Sequence, residues 1–395
     1  MRYIERINIA GFRSIRAINY EGTHEIDEKG LPLGHLNVLI GANGAGKSNF
    51  LSFFKLLQTI VEVDSSKGKE DKERDREDRV RLYAGTSAGA NHLLYFGTRV
   101  TRELTADIWL EGDSDPSATR ILSYDFKLVP TADDHLVFAL EACNKPKSTR
   151  FSAGGGKAIA LFDDHAASNM IRERFRVMAP IRIYHFPDEG GVSPARGVSD
   201  LGDNRYLRPE GENIAPFLYL LKSKHPSSYG NIVDVVRLVF PFFEDFQLAP
   251  RSVDESTIRL EWKESGEDSY RDASYLSEGT LRFICLATLL LQPQPPGLIL
   301  IDEPELGLHP YAIGVLTDLL RAAAHDSQLI VSTQSVTLVN QLEPEDIIVV
   351  ERQKERESLR YETVFKRLEK ANLDRWLEDY GMGDLWEKNL IGGRP

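Results

Sequence analysis

The chain has 395 residues, of which 42% are hydrophobic and 27% are charged, and its formal net charge is −12. This length suits one large domain or two ordinary ones, and the acidic balance excludes a general basic surface for DNA or an anionic membrane. A nucleic-acid contact would therefore need a local patch or a partner. The cysteines Cys143 and Cys285 lie far apart, which favours buried free thiols. No apolar run approaches the roughly 20 residues of a membrane span, and residues 1–6 are not a signal peptide, so we expect a cytoplasmic protein with no membrane segment.

The first predicted elements are strands and a phosphate-loop pattern. Residues 3–9 alternate like a half-buried strand, and Phe12-Arg13-Ser14-Ile15 follows a turn glycine. An apolar strand at 36–40 leads into the pattern G-x-x-x-x-G-K-S, and apolar residues then recur at helical spacing over 49–57. The loop and its flank consist of Gly41, Ala42, Asn43, Gly44, Ala45, Gly46, Lys47, Ser48 and Asn49.

This strand–loop–helix context predicts a P-loop that binds a nucleoside triphosphate. Glycines allow successive backbone N–H groups to point at the phosphates, and the start of the following helix adds positive potential. We expect Lys47 to reach the β- and γ-phosphates of ATP and the Ser48 hydroxyl to ligate Mg²⁺. The remaining residues of the loop, together with Asn49, are expected to contact the nucleotide.

The segments after the P-loop helix predict a charged helix and a β-meander. Residues 65–81 contain seven basic and six acidic side chains that nearly cancel, which favours a solvated helix or a mobile loop over a binding tract. Alternating segments at 103–110, 121–129 and 136–141 are separated by turn residues. They predict an antiparallel meander beside the nucleotide site.

The region after the meander is expected to be a connector followed by helices. Residues 152–157 form a Gly-rich stretch without a Gly-Lys-Ser sequence, which favours a flexible connector over a second phosphate loop. Residues 171–246 are mostly helical in pattern, with a short strand at 181–184. No sustained heptads predict a long coiled coil.

A second part of the nucleotide site is predicted near residue 300. The apolar run 297–301 is typical of a parallel strand buried on both faces, and it ends in Asp302-Glu303. The C-terminal end of such a strand is where α/β proteins place their chemistry. We expect Asp302 to join the Mg²⁺ shell and Glu303 to orient and deprotonate the attacking water, with a structural ion pair as the alternative.

Two polar segments flank this acidic strand. Leu276-Ser277-Glu278-Gly279-Thr280 precedes an apolar stretch, so the Ser277 hydroxyl and the Gly279 N–H form either a helix N-cap or a second anion site. In a head-to-tail dimer this second site would close over the γ-phosphate of the neighbour. A buried strand at 328–333 ends at Gln334, which either senses the γ-phosphate or caps the next helix.

Together these motifs resemble the ABC-type ATPase heads in their order and spacing. The sequence Gly11-Phe12-Arg13-Ser14 and the run 302–310 (Asp-Glu-Pro-Glu-Leu-Gly-Leu-His-Pro) are most similar to the overcoming-lysogenization-defect (OLD) and RecF/SMC-like ATPases. Residues 376–395 resemble the stand-alone "predicted ATPase" branch of that group. The resemblance implies an α/β P-loop NTPase fold with a mixed or parallel core sheet, an antiparallel β subdomain and a helical lobe. We expect the divisions 1–170 (P-loop and meander), 171–270 (helical lobe) and 271–395 (signature, Walker B and switch).

The resemblance also implies roles for the matching residues. Ser277 and Gly279 would be the signature supplied in trans, residues 305–309 would be the D-loop, and Arg13 would contact the nucleotide. Gln334 stands where the family usually has its switch histidine. Glutamine can hydrogen-bond the γ-phosphate but cannot carry a proton.

One family feature, the Q-loop glutamine, has no obvious counterpart. The chain contains no glutamine between Gln58 and Gln247. Asp188 or His185, which follow the strand at 181–184, are the candidates for its place.

The resemblance finally implies partners. OLD-type proteins often carry a C-terminal Toprim nuclease, but about 60 residues follow Gln334, too few for such a domain. We therefore expect a homodimer or higher oligomer of ATPase heads with a separate Toprim-like nuclease or toxin as effector, and DNA bound directly or through that partner.

Two functional hypotheses remain. The leading one is an ATPase that dimerises on ATP and regulates or powers a DNA-directed effector in anti-phage defence or DNA repair. The alternative is a nucleotide-gated scaffold or sensor with little hydrolysis, which holds and inhibits or releases the effector. A transporter subunit does not suit the 230-residue spacing between Lys47 and Ser277.

Overall fold

The computed structural model describes residues 3–18, 30–61, 69–110, 122–144, 181–186, 193–355 and 358–394. The Gly-rich stretch at 152–157, the residue Asp188 and the expected boundary at 170/171 lie outside these ranges. The expected division of the chain into three parts therefore stays a prediction.

Within the described ranges the strands form four sheets, and we number the strands in chain order. They are β1 (Ile4–Phe12), β2 (Ile15–Ala17), β3 (Leu31–Pro32), β4 (Leu36–Ile40), β5 (Leu104–Leu110), β6 (Leu122–Pro130), β7 (Leu136–Asn144), β8 (Arg182–Tyr184), β9 (Val198–Asp200), β10 (Phe243–Gln247), β11 (Thr257–Arg259), β12 (Glu261–Glu264), β13 (Tyr270–Asp272), β14 (Leu298–Asp302), β15 (Gln328–Thr333), β16 (Ile347–Lys354) and β17 (Tyr361–Arg367).

The α-helices are numbered in the same way. They are α1 (Lys47–Val61), α2 (Lys69–Thr86), α3 (Ala90–Leu93), α4 (Ile214–Lys224), α5 (Pro226–Val239), α6 (Glu278–Leu291), α7 (Pro310–Ala323), α8 (Val336–Val339), α9 (Asp374–Leu377) and α10 (Met382–Glu387). Short 3-10 segments occur at Pro194–Arg196, Ala273–Tyr275, Pro344–Asp346 and Lys370–Asn372.

The core of the fold is a mixed sheet with the strand order β17-β16-β4-β15-β14-β8. All neighbours pair in parallel except β16 and β17, which are antiparallel. Every residue of β4 and of β15 is buried, as expected for parallel strands that are covered on both faces. The predicted buried strands at 36–40, 297–301 and 328–333 are thereby confirmed.

A second, antiparallel sheet has the order β2-β1-β5-β6-β7, and the P-loop helix α1 lies between the two sheets. The ring of Phe53 stacks on Phe126 of β6 at 6.2 Å, and the ring of Phe50 lies 5.1 Å from Phe365 of β17. The predicted meander is confirmed as β5-β6-β7. Aromatic packing from both sides therefore fixes the direction of α1 and the loop at its start.

The helical pattern predicted for residues 171–246 is correct only in part. Helices α4 and α5 follow it, but residues 193–213 contain the strand β9, one short 3-10 segment and otherwise turns and irregular chain. The expected helical lobe also contains the pair β9–β11 and the antiparallel sheet β10-β12-β13. Buried Ile258, Leu260 and Trp262 alternate with more exposed charged residues there, and this period of two is a strand pattern.

From Lys69 onward, the charged tract after α1 lies in the helix α2, one of the two structures that its composition favours. Cys285 is buried as a free thiol, as expected. Among the described residues, no helix combines the length and the apolar character that a membrane crossing requires.

Candidate nucleotide-binding site

Strand register brings the predicted motifs to one edge of the core sheet. Ile40 of β4 pairs with Thr333 of β15, and Ser332 pairs with Asp302 of β14. The residues that follow these positions are the P-loop, Gln334 and Glu303. Because the three strands are parallel, their carboxyl ends meet at this edge. The predicted phosphate loop, acidic pair and polar sensor thus lie side by side.

The lysine of the P-loop forms hydrogen bonds with the backbone of the same loop. Lys47 is buried, and its Nζ donates to the carbonyl oxygens of Gly41 and Ala42, the latter at 3.3 Å. Burial lowers the pKa of Lys47, while the carboxylates of Glu303, Asp302 and Glu305 act in the opposite direction. The ammonium group therefore lies within the loop. The phosphate oxygens of a bound nucleotide would take the place of these carbonyl oxygens as its hydrogen-bond partners.

A buried threonine of β17 braces the other side of the P-loop. The Thr363 hydroxyl donates to the carbonyl oxygen of Ala45 at 2.9 Å and contacts the Ser14 hydroxyl at 2.8 Å. Gly46, at φ 117°, packs so closely on Thr363 that a Cβ at this position would overlap the threonine side chain. Thr363 is not among the residues predicted from the sequence, and a polar residue at a buried strand position is the signal that could have found it.

Arg13 lies beside the P-loop helix, as its assignment requires. Its guanidinium is 3.5 Å from Asn49 Oδ1, and the Asn49 amide donates to the Ser14 hydroxyl at 2.7 Å. These residues line a cleft of about 610 Å³. The cleft is otherwise lined by Ser87, Asn91, His92, Leu94, Phe96, Gly97 and Arg352. The cleft reaches Asn49, the residue after Ser48. Its lining contains cationic side chains, amides and the half-exposed ring of Phe96.

The two acidic residues at the end of β14 are held by β15 and the residue after it. The Ser332 hydroxyl donates to Asp302 Oδ1, and the Gln334 amide donates to Glu303 Oε1. Glu303 adopts a left-handed backbone conformation, with φ 47°. Such a conformation is strained for a residue with a long side chain and is often found at functional sites. Gln334 thus contacts the proposed catalytic carboxylate directly.

The side chain of Glu305 holds the end of β15 and the residue that follows it. Its Oε1 accepts hydrogen bonds from the Thr333 hydroxyl at 2.5 Å and from the Gln334 backbone N–H at 2.8 Å. Its Oε2 is buried with no hydrogen-bond partner among the described residues. Burial raises the pKa of Glu305 above its ordinary value. The side chain therefore fixes the turn that carries Gln334, a role the sequence did not reveal.

The predicted signature segment begins the helix α6. The Ser277 hydroxyl caps this helix by accepting from the Thr280 N–H at 3.1 Å, and Ser277 is exposed. Gly279 packs against the carbonyl of Gly307, where any Cβ would overlap. Within the described residues, no hydrogen bond joins Ser277 or Gly279 to the P-loop.

A buried arginine fixes the start of α6 to its surroundings. Arg282 donates from Nε and Nη2 to the carbonyl of Phe186 at 3.0 and 2.6 Å, and from Nη1 to the carbonyl of Leu306. Phe186 follows β8, the strand after which the missing Q-loop residue was sought, and Leu306 lies in the expected D-loop. His185, the described candidate for that Q-loop place, is exposed, and its backbone N–H donates to Pro209.

Comparison with known proteins agrees with this geometry. Residues 36–340 match the family described as "AAA domain, putative AbiEii toxin, Type IV TA system". The chain belongs to this family. The match spans the P-loop, the acidic pair and Gln334. No curated protein matches the sequence of this AbiEii-type AAA chain.

Solved structures similar to this AbiEii-type AAA chain include ATPase heads of SMC proteins. One is the SMC head bound to the C-winged helix domain of ScpA, with a TM-score of 0.57, 15% identity, and coverage of 94% of this chain and 99% of that one. Another is the Smc head domain with an extended coiled coil bound to the C-terminal domain of ScpA, from Pyrococcus furiosus, with a TM-score of 0.54, 15% identity, and coverage of 96% and 99%. These likenesses confirm the α/β P-loop fold of an ABC-type head.

The finer OLD-like relationship stays a prediction. A P-loop fold of this class implies nucleotide binding with Mg²⁺ in general, and the described residues fit that implication. The glycine-bearing loop, the buried lysine held by loop carbonyls, and the aspartate at the neighbouring strand end provide the donors that a nucleotide and its cation use. The described residues contain no cluster of three or more His, Cys, Asp or Glu side chains suited to hold a metal alone.

Proposed function

We propose that this chain is an ABC-class ATPase that binds ATP and Mg²⁺, dimerises on ATP, and regulates or powers a separate DNA-directed effector. The observation that carries the proposal is the strand register that aligns the P-loop, Asp302-Glu303 and Gln334 at one edge of the sheet. The family description names a toxin system, which supports a toxin-related role, and a separate Toprim-like nuclease or toxin as effector rests on the resemblance to OLD-type proteins. A role in anti-phage defence or DNA repair follows from the same line of inference.

The residues of the site divide the work of hydrolysis. On ATP binding, Lys47 exchanges the carbonyls of Gly41 and Ala42 for phosphate oxygens, and the loop N–H groups hold the rest. Ser48 and Asp302 would hold Mg²⁺, which neutralises charge on the phosphates when bound. Glu303 accepts the proton of the attacking water. Gln334 orients this carboxylate by its hydrogen bond but takes no proton.

The cleft at Arg13 suits the nucleoside part of the ligand. It starts next to Asn49, and its exposed ring, Phe96, can stack on a base. Arg13 and Arg352 also line this cleft and supply positive charge for an anionic ligand. The exposed Ser277 at the start of α6 is available to a second copy, so the trans signature proposed from the sequence is sterically accessible.

The decisive experiment replaces the proposed base. Glu303→Gln should lower the rate of phosphate release by about 100-fold or more, because general-base catalysis typically contributes that much. The same variant should accumulate an ATP-bound dimer, which light scattering after size exclusion detects. Glu378→Gln, at an exposed position remote from these contacts, is the matched control. Normal turnover by Glu303→Gln would show that Glu303 is not the general base.

A nucleotide-gated scaffold is a second candidate, and one contact favours it. The Gln334 amide occupies Glu303 Oε1, so the base is engaged before any water arrives. Under this alternative, ATP drives assembly of the dimer or of a complex with the effector, and Glu303→Gln assembles as efficiently as the wild type. Turnover by the wild type is slow. Parallel measurement of turnover and ATP-dependent assembly separates the two candidates.

A further inference from the structure

A glycine-rich segment distant in sequence lies against the start of the P-loop. We define the Gly-Gly-Arg segment as residues 391–394, which follow helix α10. The Gly393 N–H donates to Glu351 Oε1 at 2.6 Å, and the fully buried Trp386 indole donates to the Gly393 carbonyl. Ile391 is buried as well. The segment is therefore anchored at several points and is part of the fold.

The anchoring brings the segment directly onto the phosphate loop. A Cβ at Gly393 would lie 3.5 Å from the Cα of Gly41, the first P-loop residue, and 2.7 Å from Val349 Cγ1 of β16. Gly393 has φ 63°, which a glycine adopts readily. Consecutive Cα atoms are about 3.8 Å apart, so the Cα of Arg394 lies within roughly 9 Å of the Cα of Gly41. A long side chain at this distance can reach the cradle.

Arg394 adds a cation at the edge of the sheet where the P-loop begins. Lys47 faces the carboxylates of Asp302, Glu303 and Glu305, and Glu351 holds the Gly393 N–H. A triphosphate brings further negative charge to this edge, so a cation beside the loop would stabilise it. Arg394 is exposed, and no residue in the described part of the chain forms an ion pair with it. Its guanidinium is suited to bidentate contact with phosphate.

We infer that Arg394 is a further nucleotide-binding residue, which the Gly-Gly-Arg segment positions beside the P-loop to contact the phosphates of ATP. The inference rests on the proposed function, since it assigns a second cation to the same nucleotide site. The two glycines, Trp386 and Glu351 act as positioning residues for this arginine.

Titration of the full chain with ATP, followed by calorimetry, tests the inference. Arg394→Gln should weaken ATP binding by about 10- to 100-fold, the usual loss for charge-assisted hydrogen bonds to phosphate. Its melting temperature without nucleotide should equal that of the wild type, because the side chain is exposed. Arg394→Lys should fall between the two. Arg375→Gln, which removes another exposed arginine of the same region, is the matched control and should bind like the wild type.

A second variant tests the positioning role. Gly393→Ala introduces a strained φ and a contact with Val349, so it should displace the segment and weaken ATP binding although Arg394 is retained. If Arg394→Gln binds ATP with wild-type affinity while Lys47→Ala abolishes binding, the inference about Arg394 is overturned and the proposed function stands. If the wild-type chain binds no ATP, or if Lys47→Ala binds it normally, the proposed function itself fails.

Discussion

Replacement of Thr363 by valine tests whether β17 determines the shape of the P-loop. Valine keeps the branched shape and removes the hydroxyl that contacts Ala45 O and Ser14 Oγ. Thr363 is fully buried, so water cannot replace these partners. With a net value of about 0.5–1.5 kcal/mol for each hydrogen bond, the free energy of unfolding should fall by about 1–3 kcal/mol. Because Ala45 belongs to the P-loop, ATP affinity should fall as well.

Urea unfolding of the ligand-free chain measures the stability, and ATP titration measures the affinity. Thr363→Ser is the matched control: it keeps the hydroxyl and loses one methyl group, which costs about 1 kcal/mol. A double-mutant cycle with Ser14→Ala should show a coupling between the two positions, since they share a hydrogen bond. If Thr363→Val were as stable as the wild type while Thr363→Ser were not, packing alone would explain the position and the bracing role would be refuted.

Two further predictions concern buried titratable groups. Burial raises the pKa of Glu305, so the stability that this group contributes is present below its ordinary value of 4.5 and is lost as the pH rises through the raised value. Glu305→Gln should therefore unfold at higher urea concentration than the wild type at pH 8, with a difference that shrinks toward pH 4.5; a difference that grows on acidification would contradict this sign. Burial also raises the pKa of Cys285 to about 12, so iodoacetamide should spare this thiol in the native protein at pH 9 and label it after unfolding, as peptide mass spectrometry would show. Equal labelling rates in both states would contradict that expectation.

The parts of the site that the sequence predicted are those whose signal is local. Strands β4, β14 and β15 are apolar runs because both faces of a parallel sheet are covered, and their ends are marked by Gly41, Asp302 and Gln334. Parallel strands bring such ends together whatever the rest of the chain does. The P-loop and the acidic pair could therefore be placed near one another without a structure.

The parts that escaped prediction depend on contacts between distant residues. Thr363 contacts Ala45 across 318 positions, and although a polar residue in a buried strand is a weak signal, nothing in the sequence indicates which distant residue it contacts. Strands β16 and β17 were not predicted, although the apolar run 347–350 is a strand signal. The strands of the lobe were missed because they are three to five residues long and carry charges on their exposed face.

The three hydrogen bonds that Arg282 donates to two carbonyl groups have a mechanical consequence. One guanidinium connects the N-terminal part of α6 to the chain after β8 and to the loop after the acidic pair. Because this buried guanidinium is planar and its donors have fixed directions, a shift of one of these three segments must either displace the other two or break a hydrogen bond. Any rearrangement that moves Ser277 must therefore carry Phe186 and Leu306 along as one rigid body, or else it must break the linkage and leave a carbonyl without its donor.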